Sequence, residues 1–237
     1  MATMFAARGT TNSIFRIQKN GPQLKNSSSV LQIRNDTDAS YAALESASLG
    51  VDLGSVSSPS LYFNGDSNTG IYSPSADTIA FVEGGNEILR INATGNVRVT
   101  NGSFSTLGDA AVTHYILRAT TTNATPTELL INGADRMILA NDSTWKFDIS
   151  VVARRTDADN ENAAYTFRGC IYRNANAVST TIAGLVNKNV DAEQDLDWDA
   201  NVDADTTNGS LRIQATGEAA KTIRWVAFVT ATQVVEI

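Results

Sequence analysis

The sequence predicts an all-β protein on three observations. Residues 55–97 consist of short apolar runs separated at near-regular intervals by Gly, Asn, Asp and Pro, which favour turns. Only 18% of the 237 residues are charged, whereas Thr, Ser, Asn and Ala are abundant. Such a composition suits solvated strand faces. The C-terminal half alternates apolar and polar residues, which is the period of a half-buried strand.

Residues 1–29 predict an N-terminal attachment segment rather than an independent domain. A short alternation at Ile14–Ile17 favours a strand, and Asn20-Gly21-Pro22 ends it with a turn. No acidic residue precedes Asp36. The basic residues Arg8, Arg16, Lys19 and Lys25 are therefore candidates for docking to an acidic partner surface. A flexible, soluble arm is the other interpretation.

Residues 30–110 predict a β-repeat shaft. The segment 30–37 matches the segment 88–94 in its order of apolar and polar residues, so both are expected to form strands. Residues 40–49 between them are compatible with helix or strand, and we favour strand. The apolar runs beginning at Leu61, Gly70 and Ile79 are each followed by turn residues. Strands this short need neighbours, from the next repeat or from another copy of the chain.

Residues 111–237 predict an antiparallel β-sandwich head of jelly-roll type, because strand-like runs recur every 10–15 residues or so. Trp145, Phe147, Ile149 and Val151 are expected to share one buried face. The three tryptophans (Trp145, Trp198 and Trp225) are expected in the core.

An acidic alternation begins at Asp195 and ends at Asp205, with a carboxylate or amide at every second position. It predicts one strand with an acidic face and an apolar face. A solvated face is the favoured interpretation. A calcium site completed by a second segment is the alternative, since one strand cannot surround an ion.

The sequence predicts neither an enzyme nor a bound cofactor or metal. Cys170 and His114 are the only residues of their types; Cys170 is expected to be a buried apolar residue and His114 a structural one. No nucleotide-binding loop or nucleophile elbow occurs. The net charge of −7 argues against nucleic-acid binding. With no long apolar run we expect a soluble protein, made in the cytoplasm, without membrane insertion.

Two loop regions offer polar and aromatic side chains suited to carbohydrate recognition. One follows the alternation at 145–153, and the other ends the run at 165–172. The candidate receptor-binding residues are Asp157, Asp159 and Asn160 in the first loop, and Tyr172, Arg173, Asn174 and Asn176 in the second.

The shaft segment resembles the repeat of bacteriophage tail-fibre shafts. The matching elements are Ser58-Pro59-Ser60, Phe63-Asn64-Gly65-Asp66, Asn68-Thr69-Gly70-Ile71-Tyr72-Ser73-Pro74, Leu89-Arg90-Ile91 and Thr94-Gly95-Asn96-Val97. Together they cover about 45 residues. The C-terminal half is similar in character to fibre head domains.

The resemblance implies an elongated homotrimer in the virion, with a short shaft and a distal head. The N-terminus would bind a phage tail, baseplate or other virion protein, and the head would bind a host-surface glycan or protein. The alternatives are a capsid-surface fibre or a baseplate or collar component without receptor binding, and a polysaccharide depolymerase.

Overall fold

Strands make up 54% of the chain and helix 1%, so the all-β prediction is confirmed. The computed structural model describes residues 14–16, 20–28, 30–158 and 161–236. The chain divides into two units, one ending at Gly50 and the other beginning at Val51. The division falls inside the segment predicted as the shaft.

The first unit contains a small antiparallel sheet among its described residues. Its strands, in spatial order, are β1 (Ile14–Arg16), β2 (Gln23–Ser27) and β3 (Val30–Arg34). Strand β3 is the first copy of the proposed repeat, so the expectation of a strand there is confirmed.

The strand expected at 40–49 is wrong. Apart from an isolated bridge between Arg34 and Tyr41, residues 41–50 form no strand, and most of them are exposed. Their alternation is weak, so they present no apolar face for a neighbouring strand to cover.

The second unit contains the remaining strands. They are β4 (Leu61–Phe63), β5 (Asp66–Tyr72), β6 (Ile79–Glu83), β7 (Asn86–Ile91), β8 (Val97–Val99), β9 (Ala110–Thr121), β10 (Thr127–Glu128), β11 (Met137–Ile138), β12 (Ser143–Arg155), β13 (Asn162–Arg173), β14 (Thr181–Ile182), β15 (Asn187–Glu193), β16 (Asp199–Asp205), β17 (Ser210–Thr216) and β18 (Ile223–Val235). A three-residue 3-10 turn, Ala177–Ser179, precedes β14.

The described strands of this unit form two antiparallel sheets. The main sheet has 11 strands in the order β14-β13-β12-β18-β9-β8-β7-β6-β5-β4, and β15 also pairs with β13. The small sheet has four, in the order β10-β17-β11, with β16 also paired to β17. This arrangement of large antiparallel sheets is consistent with the predicted β-sandwich.

The core lies between the small sheet and the long strands β9, β12, β13 and β18. Alternate residues of β12 point into it, and Trp145, Phe147, Ile149 and Val151 are all buried as predicted. Trp198 and Trp225 are also buried, and their rings lie 6.0 Å apart between centroids. The inner face of the main sheet, as termed below, is the face that contacts this core.

Antiparallel pairing of β8 with β9 joins the short strands to the sandwich. Val97 pairs with His114 and Val99 with Val112, which connects β8 to β9. The predicted boundary between residues 110 and 111 falls at the start of β9. Short strands β4–β8 are therefore a continuation of the sheet that the core stabilises.

Local chemistry explains the corners of the short strands. Gly65 and Gly84 have φ of 91° and 56° in the turns after β4 and β6, a region where glycine carries no steric cost. Gly70 is needed for a different reason. A Cβ atom there would lie 1.9 Å from the carbonyl oxygen of Leu61 on the neighbouring strand.

We expect Phe147→Ala to lower the free energy of unfolding by about 3–5 kcal/mol, because it removes a fully buried ring from the core. Ser150→Ala, at an exposed position of the same strand, is the control and should change it by less than about 0.5 kcal/mol. Urea unfolding followed by tryptophan fluorescence measures both. Equal stability of the two variants would contradict this core assignment.

Candidate functional site

The outer face of the main sheet, opposite to its inner face, carries a row of apolar side chains. Cross-strand pairing aligns one residue from each of six neighbouring strands, β4 to β9. The apolar row is Leu61, Ile71, Phe81, Leu89, Val99 and Val112. Directly opposed residues have Cβ atoms about 4.5–5.5 Å apart. The row is therefore one continuous apolar surface.

Three members of the apolar row are exposed to solvent, and the other three, Ile71, Leu89 and Val112, are half-buried. Leu61 is 46% exposed, Phe81 40% and Val99 39%. Ile79 and Ile91, which pair beside the row, are exposed to a similar extent. Contiguous apolar surface of this kind marks an interaction site far more often than scattered single residues do.

The opposite face of the same short strands is covered. Tyr72, Ala80 and Val82 are buried there, and Val56 from the preceding segment packs against them. Both faces of these strands therefore carry apolar side chains, but within the described residues only one of the two faces is covered.

A second apolar patch lies on the outer face of β9, β12 and β18. Its exposed members are Ile116, Phe228, Val226 and Val152, which cross-strand pairing places next to one another. His114 stacks on Phe228 with ring centroids 5.6 Å apart, and its Nδ1 lies 3.2 Å from the Thr230 hydroxyl. These contacts agree with a structural role for the histidine.

A buried charged cluster lies on the inner face of β5, β7 and β8. The Glu87 carboxylate accepts hydrogen bonds from the Tyr72 hydroxyl at 2.7 Å, Arg90 Nη2 at 2.5 Å and Arg98 Nη2 at 3.0 Å. Burial alone would raise the pKa of Glu87, but the hydrogen bonds from Arg90, Tyr72 and Arg98 outweigh it and hold the pKa below 4.5. Glu87 therefore stays ionised, and it neutralises one of the two guanidinium groups.

Sequence reasoning missed this cluster. In Leu89-Arg90-Ile91 the alternation ordinarily places the charged side chain in solvent and the apolar ones inside. In β7 the arrangement is reversed, since Arg90 points inward and Ile91 is exposed. Arg90 pairs with Arg98 across β7 and β8, and the sequence gives no signal for this pairing because it depends on the strand register.

The two predicted receptor-binding loops lie at opposite ends of β13. This strand runs from Asn162 to Arg173, roughly 37 Å at about 3.4 Å per residue, so the loops cannot form one pocket within a chain. In the first loop, the Asp157 carboxylate accepts hydrogen bonds from Arg155 Nε at 2.7 Å and from the Thr222 backbone N–H at 3.1 Å. Asp159 and Asn160 lie outside the described residues.

Polar groups of the second loop hold the loop itself together. Arg173 Nη1 donates to the Leu139 carbonyl at 2.8 Å. Asn176 Oδ1 accepts the Ser179 backbone N–H at 3.2 Å, and the Asn174 backbone N–H donates to the Ser179 hydroxyl at 3.0 Å. Tyr172 is half-buried within β13.

The predicted docking residues are only partly described. Arg8 and Lys19 lie outside the described residues, and Arg16 belongs to β1. Lys25 Nζ pairs with Asp38 at 2.5 Å, and Arg34 Nε binds the same carboxylate at 2.8 Å. Hydrogen bonds from Lys25 and then Arg34 lower the pKa of Asp38, so the Lys25 charge is balanced within its own unit.

The prediction of one continuous acidic strand is wrong at its N-terminal end. Asp195 begins a turn in which its carboxylate accepts the Asp197 N–H at 3.0 Å and its carbonyl accepts the Trp198 N–H at 3.3 Å. The strand starts only at Asp199. An aspartate side chain that binds a nearby backbone N–H competes with strand pairing, and burial of Trp198 fixes the turn.

A lysine stands among the acidic groups at this turn. Carboxylate oxygens of Asp195, Asp197 and Glu218 lie within 4.8 Å of one another. Lys221 Nζ is 2.5 Å from Glu218, 3.1 Å from Glu161, and in contact with Asp195. Its hydrogen bond lowers the pKa of Asp195. The ammonium group already supplies the positive charge that a metal ion would bring.

The other aspartates of the run also have protein partners. Asp199 pairs with Lys188, and Asp203 accepts two hydrogen bonds from Arg212. The buried Asp205 accepts backbone N–H groups of the following turn.

Cys170, expected to be buried, is only half-buried, because it lies on the outer-face side of β13 rather than in the core.

No protein-family model and no curated protein matches this chain. In the part of the chain that the structure describes, no helix has the length and apolar character to cross a membrane.

We expect Glu87→Gln to lower the free energy of unfolding by about 3 kcal/mol at neutral pH, because it leaves two guanidinium groups without their buried counter-charge. Glu83→Gln, at an exposed position of β6, is the control. Chemical unfolding at a fixed protein concentration measures both.

The same carboxylate predicts an acid-dependent loss of stability. Its pKa is lower in the folded chain than the ordinary value of 4.5, so its contribution is present above pH 4.5 and disappears as the pH falls through the folded value. The difference between wild type and Glu87→Gln should narrow below pH 4.5. A difference that is constant across this range would contradict the assignment.

Proposed function

We propose that this protein is a bacteriophage virion structural protein, a tail-fibre subunit that forms homotrimers and mediates adhesion to the host surface. The observation that carries the proposal is the exposed apolar row. A surface of six aligned apolar side chains, three of them exposed and three half-buried in the chain by itself, is what another copy of the same chain would cover. The resemblance of residues 58–97 to fibre-shaft repeats suggests three copies.

The residues on which the resemblance rests have structural roles in the short strands. Gly65 supplies the positive φ of a hairpin turn, and Gly70 permits the close approach of β4. Leu89 and Ile91 point outward, beside the apolar row or within it. The motif residues thus form repeated hairpins whose outer face is available for contact with other copies of the chain. This supports the proposal of a fibre.

Burial of the apolar row on assembly contributes a favourable free energy. Covering the exposed part of each large side chain in the row contributes on the order of 1 kcal/mol, and the row and its neighbours contain at least eight such side chains. Their sum, about 8 kcal/mol, is of the same order as the cost of about 4–15 kcal/mol for the freedom lost on association, so this face would supply a large part of the interface energy.

Residues 1–29 are proposed to attach the fibre to the particle. Their basic residues Arg8, Arg16 and Lys19 remain candidates for contact with an acidic surface of the tail or baseplate, whereas Lys25 is engaged by Asp38. The protein would therefore be located in the virion, and three identical heads would combine weak contacts to the host into a strong one. The proposed role is not enzymatic.

A capsid-surface fibre or a baseplate or collar component is the second candidate. It is favoured by the internal engagement of Asp157, Arg173 and Asn176, which use their polar groups to hold their own loops. In that role the same trimer would assemble without binding a receptor.

Assembly is tested by Phe81→Asp. The purified wild-type chain is expected to have three times the chain mass of 25.3 kDa in size-exclusion chromatography with light scattering. Phe81→Asp should elute as a monomer, since a carboxylate in the middle of the apolar row would be buried without a partner. Circular dichroism checks that the variant keeps its strands.

Leu185→Asp is the matched control for this experiment. Leu185 is 86% exposed and is not part of the apolar row, so its replacement should leave the trimer intact. A wild-type chain that is monomeric at all concentrations, or a trimer that survives Phe81→Asp, would contradict assembly through this face.

Adhesion is tested separately with the purified full chain. A tail fibre should bind host cells or their extracted surface polysaccharide and should block phage adsorption, without releasing reducing ends. A capsid-surface fibre should do neither, and antibodies to it should label capsids in electron micrographs. Capsid labelling without adsorption block would select the second candidate.

A further inference from the structure

A pocket of about 280 Å³ lies on the inner face at one end of the sandwich. It is where the β7–β8 hairpin meets strand β11 and the ends of β9, β12 and β18. The walls include the aromatic side chains of Tyr115 and Trp145 and the guanidinium groups of Arg90 and Arg98. The volume is slightly below the range of about 300–1,000 Å³ of drug-sized ligand sites, which suits a ligand of one ring.

The charged side chains that line this pocket, with their ion-pair partner, leave one positive charge in excess, and the carboxylate of the neighbouring Asp109 is turned to the backbone N–H groups of residues 104–106. Arg90 and Arg98 share the single carboxylate of Glu87, and none of the described residues that line the pocket is acidic. The Nε atoms of both arginines are buried and have no hydrogen-bond partner among the described residues. An anion in the pocket would be stabilised by the excess charge of the two guanidinium groups that line it.

The position of Arg98 is set by its surroundings. One Nη atom donates to Glu87 at 3.0 Å, and the other packs over Gly108, where a Cβ atom would lie only 2.9 Å away. Gly108 has a φ of 96°, so larger residues are disfavoured at that position. The guanidinium group is therefore held in place before any ligand arrives, which reduces the entropy lost on binding.

The other walls suit a ring that has an apolar side and hydroxyl groups. Tyr115 and Trp145 stack with ring centroids 5.9 Å apart, and Gln233 Nε2 donates to the Tyr115 hydroxyl at 3.1 Å. Ile138 adds an aliphatic side chain, and Asn96 an amide. A bare phosphate would use only the arginines, whereas a sugar ring would also use the aromatic and amide groups.

We propose that this pocket binds a sugar ring that carries a carboxylate, such as a uronic acid residue of an acidic glycan. The carboxylate pairs with Arg90 and Arg98, because the N–H groups of a guanidinium match the two oxygens of a carboxylate. The sugar ring lies against Tyr115 and Trp145. That the sugar belongs to a host-surface glycan rests on the proposed adhesion function; the binding itself is independent of it.

The inference is tested by titrating the full chain with glucuronate and following tryptophan fluorescence and binding heat. Glucuronate should bind at least about tenfold more tightly than glucose, a difference of about 1.4 kcal/mol. Inorganic phosphate is the second probe and should also bind at least tenfold more weakly. Phosphate binding equal to that of glucuronate would overturn the assignment of a sugar ring.

Two variants locate the site. Arg98→Gln removes one guanidinium group, and Ile138→Trp fills the pocket from an exposed position while it leaves both arginines in place. Each should weaken glucuronate binding at least tenfold, and Arg224→Gln, on the exposed outer face of β18, should not change it. If Arg98→Gln fails to fold, Ile138→Trp decides the result. Undiminished binding to Ile138→Trp, or no binding of glucuronate to the wild type, would overturn the proposal.

The two proposals fail in distinguishable ways. Light scattering on the same samples reports assembly, and cell adsorption reports adhesion. A chain that binds glucuronate in this pocket but does not adhere to cells would sustain this inference and contradict the adhesion function. A trimer that adheres to cells but does not bind glucuronate would sustain the adhesion function and contradict this inference.

Discussion

The pairing of β8 with β9 is the contact on which the position of the short strands β4–β8 depends. The five strands β4–β8 have only three to seven residues each, and strands this short need a covered hydrophobic face or neighbouring strands for stability. Backbone hydrogen bonds to β9 attach them to a sheet whose inner face contacts the large core. The short strands thereby gain a fixed position without a large core of their own.

This attachment has a consequence for the two faces of the short strands. Their inner face receives Val56 and a cluster of charged groups, and their outer face receives nothing from the described chain. A sheet that is apolar on both sides but covered on one is suited to a protein whose remaining interface is formed by other copies. This is the physical basis of the proposed assembly.

The charged cluster shows how a polar interior is maintained. Glu87 would be strongly destabilised alone on the inner face, but three hydrogen-bond donors surround it. The second arginine is then left with no carboxylate of its own, next to an aromatic-walled pocket. The same residues that allow a charge to be buried also create a place for an anionic ligand.

Some predictions succeeded because they depend on local chemistry. The alternation from Trp145 to Val151 identified a buried face, and Gly65 and Gly84 identified turns, since side-chain direction in a strand and positive φ are properties of a few neighbouring residues. Other predictions failed where a side chain competed with its own backbone. Asp195 binds two neighbouring N–H groups, one through its carboxylate and one through its carbonyl, and so delays the strand that the acidic alternation predicts.

The sequence by itself determined that this protein is all-β and that the alternation from Trp145 to Val151, with Trp198 and Trp225, lies in the sandwich core. Only the tertiary structure decided which face of β4–β8 is covered, and which distant residues meet around Arg90 and Arg98. The physical reason is that a period of two is the same seen from either side of a strand. Where both faces of a strand carry apolar residues, the local pattern does not decide which face is buried. The strand register and the neighbouring layer decide it.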